Sequence, residues 1–135
     1  MKSFAGVVIR NSNNQILLVQ ETKPQVFGKY NLPGGRIEEG ETAVRCAVRE
    51  ALEETGLLVR PEWLIGVYQF RAGEQTVLLA EHSNSSTPAS GELPCTWCTI
   101  EEAEQLPEST ILNPEKFRAV LRDLKHGTYQ PLQVD

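Results

Sequence analysis

Residues 49–57 read REALEETGL, and the stretch holds three glutamates, Glu50, Glu53 and Glu54. On a helix they stand at i, i+3 and i+4 and so share one side. Gly56 follows, and glycine commonly stops a helix. The acids therefore sit in the last turns, where the helix dipole is already negative. Glu50 and Glu54 also repel each other, at a cost of about 0.2–0.5 kcal/mol. A merely solvated face would gain more from Lys or Arg at that end. Carboxylates gathered against these tendencies suit a hard cation. Mg²⁺ and Mn²⁺ prefer oxygen ligands, and Mg²⁺ retains waters and phosphate oxygens around it. Such a cation polarises a phosphoryl group and acidifies an attacking water, whose proton a further carboxylate can take.

The run YNLPGGRIEEGE, residues 30–41, leads directly into this stretch. It is dense in turn formers and reads as a structured loop between a short strand and a helix. Gly34 and Gly35 can bring a bare backbone carbonyl close to a ligand, since neither carries a side chain.

These groups need elements to position them. The apolar runs 4–10 and 15–21, with NSNN between, predict a hairpin. Residues 22–29, with Pro24 and Gly28, read as a loop. Residues 42–55 predict the clearest helix. There Val44, Val48, Ala51 and Leu52 recur at helical spacing as the buried face, with the glutamates on roughly the opposite one. Residues 63–71 and 75–83 predict a second hairpin turning at AGE, and 83–91 a mobile loop. CTWCT, 95–99, predicts a strand, after which Thr99 and Glu102 fit a capping box opening a helix through Leu106. Asn113 is placed to cap a last helix that Pro114 opens and Gly127 follows. This order predicts an α+β fold, a mixed sheet between helices in one domain over 1–135, rather than a doubly wound parallel sheet.

Bulk properties narrow the partners. The chain has 135 residues, 40% hydrophobic and 23% charged, which suits one globular core. A net charge of −5 argues against a broad nucleic-acid surface but not against a nucleotide. No apolar run is long enough to span a bilayer. The first fifteen residues lack a full signal-peptide pattern, so a cytoplasmic location is expected. Three cysteines do not suggest a disulfide framework, and Cys95 and Cys98 should lie on opposite faces of a strand, unsuited to zinc or redox work.

From Gly35 the chain reads GRIEEGETAVRCAVREALEETGL, which resembles the Nudix box. The matching positions are Gly35, Glu41, Arg49, Glu50, Glu53, Glu54, Gly56 and Leu57, and Ala51 stands where the pattern prefers a larger aliphatic residue. The preceding YNLPGG and the later WCTIEEAEQL also resemble that family. The resemblance implies an α/β/α sandwich with a mixed sheet. It implies a pyrophosphohydrolase, using Mg²⁺ or Mn²⁺, that cleaves a nucleoside diphosphate linked to another moiety X. By position it implies Glu50, Glu53, Glu54 and the Gly34 carbonyl as metal ligands, with Glu53 or Glu54 as the base. Arg49 would orient the glutamates and Glu41 would be structural. Glu92 is the choice for the additional acid that related enzymes place in this region, ahead of Glu81, Glu101 and Glu102. The expected partner is a small nucleotide or other diphosphate, and a homodimer is left open. A non-catalytic, nucleotide-sensing domain is the rival reading, but it would be expected to lose one of these glutamates. Secondary candidates are Arg36, Lys29, Lys23 and Arg10 for phosphates, and Tyr68, Phe70 and Phe27 for stacking.

Overall fold

The structure, a computed structural model, describes residues 2–83 and 86–133. Its elements are β1 (Lys2–Asn11), β2 (Gln15–Gln20), β3 (Tyr30–Asn31), β4 (Gly34–Arg36), α1 (Ala43–Thr55), β5 (Pro61–Phe70), β6 (Gly73–His82), β7 (Cys95–Thr99), α2 (Ile100–Glu104), α3 (Pro114–His126) and β8 (Gln130–Pro131). Among the described residues no helix is long and apolar enough to cross a membrane.

The sheet is mixed, in the order β3-β2-β1-β6-β5-β8, with β4 added to β1 and β7 to β2. Its axis is a parallel pair: β1 runs beside β6 from Lys2↔Gly73 to Asn11↔His82. Among the described residues the other strand pairs are antiparallel. Alternate residues of the central strands enter two cores. Val8, Ile16, Leu18, Val77 and Leu79 face α2 and α3, where Phe117, Val120 and Leu121 complete the packing. Ala5, Val7, Ile9, Leu17 and Leu78 face α1, against Cys46, Ala47 and Ala51. A sheet covered on both sides needs near-continuous apolar strands, which explains runs such as AGVVI.

Three expectations change in detail. The first hairpin barely pairs with itself, its only β1–β2 register being Arg10↔Ile16. Its tip is tight, since the Asn11 carboxamide oxygen accepts from the Asn13 and Gln15 amides at 3.0 and 2.9 Å. Beyond it the strands diverge, because β4 takes the edge of β1 at Phe4–Gly6 and β7 takes β2 along its length. Asn113 stands at the N-cap of α3, but its left-handed backbone (φ 53°, ψ 65°) forms no side-chain cap. A capping side chain reaches the second or third helical amide from an extended residue, which this is not. The expected mobile loop 83–91 includes residues 84 and 85, which lie outside the described residues. Its described part is anchored, with the Trp97 indole donating to the Ser86 carbonyl at 2.9 Å. The capping box of Thr99 and Glu102 forms as expected.

Helix α1 turns a different face to the sheet from the one its larger aliphatics mark. Its buried residues are Cys46, Ala47, Ala51 and Thr55, while Val44 and Leu52 are exposed. Small residues let the helix backbone lie close to β1 and β4, and close approach outweighs the transfer of two larger side chains. Glu50 and Glu54 therefore border the buried face, and only Glu53 points fully outward.

Helix α3 is held on the opposite face by Phe117 and by polar ties that include the Tyr68 hydroxyl donating to Asp123 at 2.7 Å. Tyr68→Phe should cost about 1 kcal/mol, lowering Tm by about 4 °C. Thermal unfolding checks it, and an unchanged Tm would show that this hydrogen bond adds nothing to the hold on α3.

Candidate active site

Strand β4 lays Gly34 opposite Gly6 and Gly35 opposite Ala5. A Cβ on Gly34 would come within 2.5 Å of the Ala5 carbonyl oxygen and 2.7 Å of the Gly6 Cα. A Cβ on Gly35 would instead meet the Glu50 carboxyl group at 2.5–2.6 Å. The first glycine lets β4 join β1, and the second lets α1 bring a carboxylate against the strand. The Gly34 amide donates to Glu54 Oε1 at 3.1 Å. Thus β4 touches two of the three glutamates.

The three differ in surroundings. The Glu50 side chain is 15% exposed, and its Oε2 is buried without a hydrogen-bond partner. Burial, then the charge of Glu53, pushes the Glu50 pKa up. Burial pushes Glu54 up to about 8, although the Gly34 amide pulls the other way. Glu53 is 44% exposed and lies 3.3 Å from Arg49 Nη1.

Arg49 is held by a two-pronged pair with Glu41, Nε to Oε2 at 2.7 Å and Nη2 to Oε1 at 3.0 Å. That pairing, with the Glu38 amide, holds Glu41 down at about 2. The same guanidinium reaches the Arg36 carbonyl at 3.3 Å, Glu53, and Glu50 at 3.7 Å. Glu41 thus fixes the arginine, and the arginine ties the loop after β4 to α1.

The C-terminal end of α1 is closed by the loop before β7. Glu92 and Leu93 donate their amides to the Glu53 and Glu54 carbonyls at 2.9 and 3.0 Å. Gly91 permits the approach, since a Cβ there would stand 2.3 Å from the Glu54 oxygen. This places Glu92 with Glu50, Glu54 and Gly34 on one cavity of about 560 Å³. Glu53 does not line it. Among the described residues no three His, Cys, Asp or Glu side chains already surround a cation-sized space. The donor set nevertheless fits a hard divalent ion: all its atoms are oxygens, and Glu50 Oε2 is buried and unsatisfied.

The other candidates separate. Glu81 is paired with Arg10, and Glu102 is used in its capping box. Lys23 and Arg36 line the cavity and Lys29 does not. Phe70 lines it too, edge-on to Phe4 at 5.2 Å. Phe27 is 73% exposed and Tyr68 is bound to Asp123. Cys98 joins the core under α2 and α3, and Cys95 packs against the other core, as the strand alternation predicted. Sequence reasoning missed Lys116, Gln75 and Phe4, which also line the cavity. Their only sequence signal is a lysine beside the core residue Phe117, and many surface lysines share it.

The NUDIX domain family matches residues 2–121, and the chain belongs to that family. The 8-oxo-dGDP phosphatase NUDT18 of Danio rerio is 36% identical over 90 residues, 66% of this chain and 28% of that protein. The putative 8-oxo-dGTP diphosphatase of Bacillus subtilis (strain 168) is 46% identical over 65 residues, 48% of this chain and 42% of that protein. These matches span less than half the length of either relative. The phosphatase NudJ of Escherichia coli is 28% identical over 133 residues, 92% of this chain and 84% of that protein. A NUDIX hydrolase from Nitrosomonas europaea has the same fold, with TM-score 0.75 and 24% identity over 99% of this chain and 97% of that one. The α/β/α sandwich with a mixed sheet is therefore the fold of the family.

Adjacent glycines should fail differently. Gly34→Ala meets backbone and should lose stability toward the upper end of the about 1–3 kcal/mol typical of overpacking. Gly35→Ala meets only the end of a side chain and should cost less than about 1 kcal/mol, moving the Glu50 carboxylate instead. Denaturant melts compare the two, and equal losses would show that both glycines serve the same contact.

Proposed function

We propose that this chain is a divalent-metal-dependent pyrophosphohydrolase acting on a nucleoside diphosphate joined to a further group X. The observation that carries the reading is the Glu50 oxygen, buried and without a hydrogen-bond partner at a cavity shared with Glu54, Gly34 and Glu92. A buried carboxylate oxygen left unsatisfied is costly unless something in the working state meets it. The relatives whose names specify 8-oxo-dGDP and 8-oxo-dGTP support a nucleotide substrate.

In this reading Glu50, Glu53, Glu54 and the Gly34 carbonyl would hold Mg²⁺ or Mn²⁺, with Glu92 adding an acid from the loop. The bound ion supplies charge neutralisation and a more acidic water. The chain's own residues do the rest. Arg49, fixed by Glu41, keeps Glu53 and Glu50 in place. Lys23 and Arg36 face phosphate oxygens from the cavity wall. Glu53 or Glu54 accepts the proton of the attacking water. The water oxygen bonds to phosphorus, the bridging P–O bond breaks, and the bridging oxygen leaves with its electron pair on the second phosphate. We also place the chain in the cytoplasm as a single domain, a compartment that suits the free thiols of Cys46, Cys95 and Cys98.

Phosphate release across nucleoside di- and triphosphates, nucleotide sugars and dinucleotides, with Mg²⁺ or Mn²⁺, tests the activity. Glu53→Gln should lower kcat at least about a hundredfold. Glu53 is exposed, so the fold should be little changed. Full turnover in excess EDTA would overturn the metal requirement, and inactivity across the panel would overturn the reaction.

A further inference from the structure

One buried cation stands on the cavity wall apart from the carboxylates. Lys116, in the first turn of α3, is only 8% exposed. Its ammonium donates to the side-chain oxygen of Gln75, itself 6% exposed. It also lies 4.5 Å from the centre of the Phe70 ring. Both partners are neutral. Burial lowers the Lys116 pKa to about 8, and no carboxylate contributes to the shift. Burying an ammonium without an anion is expensive, and a methionine would fill the same space without that penalty.

The surroundings are built to hold it. Gln75 fits because Gly6 and Gly34 lack side chains: Cβ atoms there would meet its Nε2 at 2.7 and 3.1 Å. Gly34 in turn donates to Glu54. A continuous path thus runs from the carboxylates through Gly34 and Gln75 to Lys116, all on one cavity. An ammonium has three donors, and Gln75 takes one of them.

We propose that Lys116, positioned by Gln75 and Phe70, is a substrate-selecting residue that donates to an electron-rich oxygen of the bound nucleotide. The oxygen belongs either to a keto-bearing base or to a phosphate. The proposal rests on the nucleotide reading above but needs no turnover. Its contribution is affinity and selectivity, so Lys116→Met should raise KM while leaving kcat nearly unchanged.

Calorimetric titration of wild type and Lys116→Met with GMP, AMP and inorganic phosphate tests it. GMP affinity should fall at least about tenfold, as for loss of a hydrogen bond to a charged donor. The variant's Tm should equal or exceed that of wild type, whereas a structural lysine would be missed in the melt. If AMP binding is unchanged, the base oxygen is the acceptor. If all three ligands weaken alike, a phosphate oxygen is. Unchanged affinity for all three overturns the proposal, as does a wild type that binds none of them. Should the variant fail to fold, the ¹⁵N-detected Lys116 ammonium signal of wild type must shift on adding GMP or phosphate, and a static signal overturns the assignment. Lys116-dependent GMP binding in a protein that hydrolyses no diphosphate would refute the hydrolase reading alone. Normal turnover with KM and affinities untouched in Lys116→Met would refute this inference alone.

Discussion

The Gly34 amide donates to the Glu54 carboxylate at 3.1 Å, and that contact joins a sheet edge to a helix end. It requires backbone with no side chain on either strand of the β4–β1 pair at Gly34 and Gly6. It also requires a helix whose inner face is made of Cys46, Ala47 and Ala51. Larger residues there would lift α1 away and carry Glu50 and Glu54 out of reach. The small-residue helix face and the glycine pair are two halves of one constraint, close approach of backbone to backbone.

Charge is balanced around that contact by division of labour. Arg49 neutralises the outer part of the cluster through Glu41 and Glu53. The inner part is served less: Arg49 stands 3.7 Å from Glu50, beyond hydrogen-bond reach, and burial pushes Glu50 and Glu54 toward their protonated forms. The helix end itself is relieved from another direction, by the amides of Glu92 and Leu93 on the last-turn carbonyls. The unfavourable placement of acids at a negative helix end is thus answered partly by backbone, and the unanswered remainder is concentrated on one Glu50 oxygen.

Legibility in the sequence follows the range of the interactions. The ends of α1 were legible because Thr42 and Gly56 act on neighbours a few residues away. The same holds for the capping box at Thr99 and for the alternation that splits Cys95 from Cys98. Glu50 and Glu54 are legible because spacing alone brings them to one cavity, whereas Glu53 on the same helix points outward. The parallel β1–β6 pairing was not, since no local signal links residues so far apart. The inner face of α1 was misjudged because hydrophobicity favoured Val44 and Leu52, whereas the sheet selected for small size. Lys116 was invisible for a related reason: only tertiary packing turns that lysine inward.

The parallel pairing of β1 with β6 also sets an order on synthesis. One edge of β1 can be covered once the chain has emerged through Arg36, because β2 and β4 are then available. The other edge has no partner until Gly73–His82 has left the ribosome. Until then the strongly apolar run FAGVVI waits with that edge unpaired. Contacts this distant slow folding, and such an edge invites pairing with other chains. The segment on which the glycine pair is built is therefore one that a growing chain must keep from its neighbours until β6 has been made.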